Sequence, residues 1–168
     1  VDWKVNDAQL PQGLSEYALY YKKVKAQGSP EAKEYNDVLG RSLYTTSLVN
    51  GNYGLTKDIY SKNIYNDKGQ LESSSYLDPA GNEQWNTYSY DNVNRLTSLI
   101  SPVASKTYTY DAPTATGYSI TETINETGQS KTTLTDLTGL TASITDNGGT
   151  IAYTYNSNSQ PVAITTGG

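Results

Sequence analysis

One short turn pattern recurs along this chain and constrains its fold more than any other feature. In Asp37-Val38-Leu39-Gly40, the Asp carboxylate can accept the backbone N–H groups of a type I turn. Gly at the fourth position accepts the positive φ that leads the chain back into a second strand. Related segments begin at Asn66, Asp78, Asp91, Asn125, Asp136, Asp146 and, as the faintest copy, Asn156. The pattern therefore predicts strands that are joined one after another by tight hairpins.

The spacing of these turns predicts the strands between them. From Asn66 onward a turn opens about every ten to fifteen residues, which is typical of short strands in an all-β meander. Between turns, Tyr and Ile alternate with Thr and Ser, as around Tyr88 and Tyr90 or Ile151 and Tyr153. Because strands joined by tight turns pair antiparallel, we predict an all-β fold. Its tandem antiparallel β-hairpins are expected to form one long twisted or curled sheet.

The composition favours sheet faces that stay partly exposed to solvent. The chain has 16 Tyr and 2 Trp but no Phe, Met or Cys. A Tyr ring packs on one side, while its hydroxyl requires water or a partner. Such a sheet cannot bury both faces, and its end strands offer unpaired backbone groups. Either the sheet curls on itself or further strands of the same kind continue it, and self-association through an edge strand is a further expectation.

The chain is predicted to divide at about residue 30. Residues 1–30 form an irregular N-terminal segment in which Tyr17, Leu19 and Tyr21 fit a strand, although Leu14 and Val24 extend Tyr17 and Tyr21 into a helical stripe. A strand is favoured because residues 27–30, Gln-Gly-Ser-Pro, form a turn signal before the next extended run.

Residues 31–168 are predicted to be the hairpin array. It opens with an extended run at residues 32–36, which precedes the turn at Asp37. A second run, residues 42–49, leads into Asn50-Gly51, which is a strong hairpin signal. The next strand is expected at residues 55–65.

These segments resemble a known repeat. Residues 35–43 and Tyr88-Ser89-Tyr90-Asp91-Asn92-Val93-Asn94-Arg95-Leu96 resemble the Tyr-Asp (YD), or RHS, repeat, whose usual form is Tyr-x-Tyr-Asp-x-x-Gly-Arg-Leu. Residues 65–71 are similar, with Asn for Asp and Gln for Arg, and residues 153–156 keep the opening of the motif. The residues that carry the resemblance are Tyr35, Asp37, Gly40, Arg41, Tyr65, Asn66, Gly69, Tyr88, Tyr90, Asp91, Arg95, Asp136, Gly139, Tyr153 and Tyr155.

The resemblance implies a structural role. Arrays of this repeat in bacterial polymorphic toxins, insecticidal toxin complex B and C components and teneurins build a spiralling sheet that closes into a hollow shell. In the bacterial proteins the shell encloses a toxic domain. By resemblance, this chain is expected to be a segment of such a shell or scaffold in a secreted or cell-surface bacterial protein. Its expected partners are the flanking repeats of a longer parent chain and an enclosed toxin domain, and Val1 at the start is expected to mark a mature, trimmed or excised chain.

Residues that could carry catalysis are scarce. With no His and no Cys, the chain has no imidazole base, no thiolate nucleophile and no usual zinc ligand set. A hydrolase with paired carboxylates would need two acidic side chains about 5–9 Å apart. Most Asp residues are instead assigned to turns, and Glu72, Glu83, Glu122 and Glu126 to solvent-facing positions in or beside strands. We therefore predict no enzyme, no metal and no cofactor.

Charge and hydropathy restrict the remaining partners. The net charge of −5, with Arg only at Arg41 and Arg95, argues against nucleic acid. These two Arg residues are expected to pair with turn carboxylates and so tie adjacent repeats. The sequence has no run of about 18 apolar residues, so no membrane span is expected. The alternative function is a carbohydrate-binding module on a cell-surface protein, with Trp3 and Trp85 as the aromatic anchors for glycan.

Overall fold

The computed structural model describes residues 3–4, 18–25, 27, 31–50, 56–77 and 81–167. Every regular element in these ranges is a β-strand. The strands are β1 (Trp3–Lys4), β2 (Tyr20–Val24), β3 (Ala32–Asn36), β4 (Ser42–Asn50), β5 (Thr56–Tyr65), β6 (Leu71–Leu77), β7 (Glu83–Tyr90), β8 (Leu96–Ile100), β9 (Ser105–Tyr110), β10 (Tyr118–Ile124), β11 (Gln129–Thr135), β12 (Thr141–Asp146), β13 (Gly149–Tyr155) and β14 (Pro161–Gly167). The predicted all-β class is confirmed.

The chain folds as two units, Val1–Thr87 and Tyr88–Gly168, whose boundary lies inside β7. In the first unit the sheet order follows the chain order from β1 to β7, and each pair of neighbours is antiparallel. In the second unit β8 to β14 follow one another in the same way. The predicted tandem antiparallel hairpins are therefore confirmed in each unit, as the short turns require.

The predicted segments match the strands closely where the structure describes them. The extended run at residues 32–36 is β3, and the strand expected at residues 55–65 is β5, which begins at Thr56. In the N-terminal segment, β2 confirms a strand at Tyr21. Leu19, just before it, donates its N–H to the backbone carbonyl of Asn36 at 2.8 Å. Residues 14, 17, 28–30, 51–55 and 78–80 lie outside the described ranges. The division at residue 30 therefore stays a prediction.

Three buried Tyr residues of the first unit form a row of rings across the sheet. Tyr21 lies opposite Tyr35, and Tyr35 lies opposite Tyr44. The ring centroids are 5.3 Å and 5.9 Å apart, and Tyr60 continues the row 5.8 Å from Tyr44. Tyr35 is only 2% exposed. Tilted pairs at this spacing contribute about 0.5–1.5 kcal/mol each beyond the burial of area.

The second unit keeps its side chains partly exposed on both faces of the sheet. Of its described residues, 88–167, only Gly117 is buried. One face carries a row of Thr, in which the Thr121 and Thr132 hydroxyls are 2.8 Å apart and those of Thr145 and Thr150 2.9 Å apart. This exposure fits a chain that is rich in Tyr and Thr and lacks Phe.

Candidate functional site: the repeat turns

Five turns in the described residues share one backbone geometry. In the first, Asp37 donates its N–H to the Arg41 carbonyl and Gly40 donates its N–H to the Asp37 carbonyl, both at 3.0 Å. The equivalent bonds, at 2.8–3.2 Å, close the turns at residues 66–70, 91–95, 136–140 and 156–160. The fourth turn residue has a positive φ each time: 79° at Gly40 and Gly69, 70° at Asn94, 87° at Gly139 and 61° at Ser159. This is a type I turn followed by a left-handed residue, which suits a hairpin.

The side chain of the first residue in each turn accepts hydrogen bonds from backbone N–H groups of the same turn. Oδ1 of Asp37 accepts the N–H groups of Leu39 and Arg41, both at 2.9 Å. Oδ1 of Asp91 and Oδ1 of Asp136 each accept two equivalent N–H groups at 2.8–3.0 Å. These bonds satisfy donors that would otherwise point into the turn without a partner. The role predicted for Asp from sequence is therefore observed in all three turns.

The predicted pairing of Arg with turn carboxylates is also observed. Nε of Arg41 donates to Oδ2 of Asp37 at 2.6 Å, and Nε of Arg95 donates to Oδ2 of Asp91 at 2.7 Å. Each of these ion pairs lies within one turn, so the pairs themselves do not tie adjacent repeats as expected. A Cβ added at Gly69, in the next turn of this form, would lie 3.1 Å from Nη1 of Arg41, so that guanidinium also reaches its neighbour.

Each guanidinium also covers a Tyr ring on a following strand. Arg41 lies 4.5 Å from the ring centre of Tyr65, and Arg95 lies 4.4 Å from that of Tyr110. The Tyr65 hydroxyl donates to the Ser42 carbonyl at 3.0 Å, and the Tyr110 hydroxyl donates to the Leu96 carbonyl at 2.7 Å. We call this Asp–Arg–Tyr arrangement the turn clamp.

Tyr110 is a member of the turn clamp that the sequence interpretation missed. The signal was present, because Tyr108-Thr109-Tyr110-Asp111 repeats the Tyr-x-Tyr-Asp opening of the motif. The same bond occurs without Arg at Tyr155, whose hydroxyl donates to the Thr141 carbonyl at 2.9 Å. There Leu140 occupies the Arg position of the Asp136 turn.

Two turns replace the ion pair by a pair of amides. Nδ2 of Asn66 donates to Oε1 of Gln70 at 2.8 Å, and Nδ2 of Asn156 donates to Oε1 of Gln160 at 3.1 Å. The Asn156 turn, the faintest copy in the sequence, is therefore complete, with Ser159 at the Gly position. In the sequence, this turn can be recognised by a Gln four residues after the Asn.

The remaining motif residues lie on the strands. Tyr35 belongs to the buried Tyr row, whereas Tyr88 and Tyr90 are half-buried at the end of β7. Tyr153 is half-buried in β13, opposite Ile164 of β14. Tyr35 and Tyr153 thus lie opposite residues of neighbouring strands.

The turn carboxylates are held in the charged form. Burial raises the pKa of Asp37, but the backbone N–H and guanidinium of Arg41 outweigh it and lower the pKa below its usual value. The backbone N–H of Arg95 lowers the pKa of Asp91 most strongly. The hydroxyl of Thr138 has the largest lowering effect on the pKa of Asp136. Hydrogen bonds to the ionised form explain all three directions.

The aromatic residue predicted as a glycan anchor contacts a charged side chain. The Lys62 ammonium lies 5.9 Å from the Trp85 ring centre and 5.1 Å from that of Tyr60. The same ammonium pairs with Glu83 at 2.8 Å. Ser75 of β6 pairs with both Lys62 of β5 and Trp85 of β7, so the ammonium reaches the Trp85 ring across β6. The side chain of Trp3 lies outside the described residues.

No protein-family model matches the chain, and no curated protein matches it significantly. Among the residues that the structure describes, no helix is long and apolar enough to cross a membrane. Within the same ranges, no group of three or more Asp and Glu side chains is arranged to hold a metal ion.

Proposed function

We propose that this chain is a structural segment of a repeat-built shell or scaffold, of the kind that RHS/YD-repeat proteins form, and that it has no catalytic role. The observation that carries the proposal is the turn clamp, which occurs with the same contacts at Asp37, Arg41 and Tyr65 and at Asp91, Arg95 and Tyr110. Recurrence of one contact set along a chain is what a repeat architecture requires.

The turn clamp supports a mechanical function because it links three successive strands. The Asp37 turn joins β3 to β4, and the Tyr65 hydroxyl then attaches the end of β5 to the first residue of β4. In the second unit the Asp91 turn joins β7 to β8, and Tyr110 attaches β9 to β8. The charged groups of the motif are thus used to hold strands together.

The proposal extends to partners and location. The flanking repeats of a longer parent chain would continue the sheet, and an enclosed toxin domain would contact its inner face. The parent would be a secreted or surface-displayed bacterial protein. Sequencing the parent gene on both sides of this segment tests the assignment directly. Further Tyr-x-Tyr-Asp turns in both flanks are the expected result, and flanks without such turns would contradict the proposal.

Duplication of one repeat tests the array architecture on the chain itself. A second copy of residues 136–155 inserted after Tyr155 would restore the same turn and the same Tyr–carbonyl bond in the added hairpin. We expect a folded protein whose strand signal in circular dichroism grows in proportion to its length. The control carries the same residues in scrambled order. Loss of folding in both proteins would oppose a repeat array.

A further inference from the structure

A groove of about 440 Å³ opens on the second unit, at the ends of three neighbouring strands. Its lining includes Glu122 and Ile124 of β10, Gln129 and Lys131 of β11, and Asp146 with Asn147 at the hairpin between β12 and β13. An adjoining space of about 430 Å³ shares Asp146 and continues over Ile144 and Ile151. The volume lies within the usual range for small-molecule sites.

The groove combines an apolar base with hydrogen-bonding groups of both kinds. Ile124 supplies apolar surface in the groove, and the directly opposed pair Ile144 and Ile151 supplies it in the adjoining space. The carboxylates of Glu122 and Asp146 accept hydrogen bonds, the Lys131 ammonium donates them, and the amides of Gln129 and Asn147 do both. A ligand with apolar faces and several hydroxyl groups would satisfy this mixture.

The charge of Glu122 in the groove is compensated within the protein. The Glu122 carboxylate lies 2.6 Å from the Lys106 ammonium and 3.8 Å from that of Lys131. An anionic ligand would be repelled by the Glu122 and Asp146 carboxylates, and a cationic ligand would be repelled by the Lys131 ammonium, which lines the groove. A neutral ligand avoids repulsion by either sign of charge, and it leaves the existing ion pairs in place.

The backbone hydrogen-bonding groups of the strands around the groove are already engaged in the sheet. β10, β11, β12 and β13 are each paired with a strand on both sides. A peptide that binds by adding a strand needs an unpaired edge. Recognition in the groove therefore depends on side chains, and this favours a polyhydroxylated ligand over an extended peptide.

We propose that this groove binds a neutral oligosaccharide. Sugar ring faces would lie against Ile124 in the groove and Ile144 in the adjoining space, and sugar hydroxyls would bond to Asp146, Lys131 and the amide of Asn147. This site goes beyond the structural role proposed above and is separate from Trp85. Failure of sugar binding would leave the repeat architecture unaffected.

Nuclear magnetic resonance titration of the ¹⁵N-labelled chain tests the site. The probes are hexaoses of β-linked glucose, β-linked N-acetylglucosamine, β-linked mannose and α-linked glucose, together with a neutral hexapeptide of Ala and Ser. We expect at least one hexaose to produce saturable shifts centred on the amides of residues 129–131 and 146–148. The absence of such shifts with every hexaose, shifts centred on Trp85, or tighter binding of the hexapeptide would overturn the proposal.

A matched pair of variants assigns the binding to the groove. Lys131→Met removes a donor whose side chain is 53% exposed, and Glu122 keeps its closer partner Lys106. We expect about tenfold weaker hexaose binding, as for the loss of one hydrogen bond to a charged group. Lys68→Met, at an exposed turn of the first unit, should leave the affinity unchanged. Equal affinity of the Lys131→Met variant and the unmodified chain would refute the assignment.

Discussion

The guanidinium of Arg95 lies 4.4 Å from the ring centre of Tyr110. Arg95 belongs to the turn between β7 and β8, and Tyr110 lies on the next strand, β9. Arg41 and Tyr65 repeat this relationship at 4.5 Å in the other unit. In both places the Arg is held by the Asp of its turn and the Tyr hydroxyl by a backbone carbonyl. A local turn thereby acquires a contact with a strand that is distant in sequence.

Removal of either Arg should destabilise the chain, and the two losses should differ. Asp37 is 6% exposed and Asp91 is 19% exposed, so Arg41→Ala leaves the more deeply buried carboxylate without its partner. We expect Arg41→Ala to lower the free energy of unfolding by about 1–3 kcal/mol. Arg95→Ala should cause a smaller loss. Urea denaturation of both variants measures the difference, and equal losses would contradict this ranking.

Exchange of the ion pair for the amide pair should be tolerated as a unit. The turn at residues 66–70 already uses Asn66 and Gln70 in the geometry of Asp37 and Arg41. The double variant Asp37→Asn with Arg41→Gln should therefore be more stable than the sum of the two single changes predicts. We expect a coupling free energy of about 0.5–2 kcal/mol in a double-mutant cycle. Simple additivity would show that the two positions act independently.

Stability should fall in acid because of the turn carboxylates. The pKa values of Asp37, Asp91 and Asp136 are lower in the folded chain than their usual values. The unfolded chain then binds more protons as the pH falls below about 4, so the stability present at neutral pH is lost from there downward. Urea midpoints between pH 7 and pH 3 measure this loss. The double variant Asp37→Asn with Arg41→Gln should show a shallower loss, and an unchanged pH dependence would exclude a contribution from Asp37.

The fourth turn position should respond to substitution according to its φ. Gly139 has a φ of 87° and no atom within 4 Å of an added Cβ, so Gly139→Ala introduces backbone strain alone. We expect a loss of about 1–2 kcal/mol in the free energy of unfolding. Gly167→Ala is the control, because Gly167 also has open space but no positive φ. Thermal unfolding compares the two, and equal effects would rule out strain as the cause.

The reverse change at Ser159 should stabilise the last turn. Ser159 occupies the same position with a φ of 61°, a conformation that costs a residue with a Cβ about 1–2 kcal/mol. Glycine removes this strain but adds about 0.4–1 kcal/mol of entropy to the unfolded chain. The expected net effect of Ser159→Gly is a small gain, measured as a higher urea midpoint. A lower midpoint would show that the serine side chain contributes more than the strain it causes.

The sequence by itself determined the class of fold and the order of the strands. Each turn depends on residues within five positions of one another, such as Asp37, Gly40 and Arg41, and tight turns force neighbouring strands to pair antiparallel. The strand at residues 32–36 could therefore be predicted residue by residue. The turn at Asn156 is hard to recognise in the sequence because Ser159 and Gln160 replace the Gly and Arg of the motif. The two residues nevertheless keep the geometry of the turn.

Only the tertiary structure decided which contacts the alternating residues make. Tyr21, Tyr35 and Tyr44 are buried, whereas Tyr108 and Tyr153 alternate in the same way and stay half exposed. A period of two separates the faces of a strand but contains no information about what covers each face. The contacts of Arg41 with Tyr65 and of Lys62 with Trp85 likewise depend on the register of neighbouring strands, which is set in space and cannot be read from one segment.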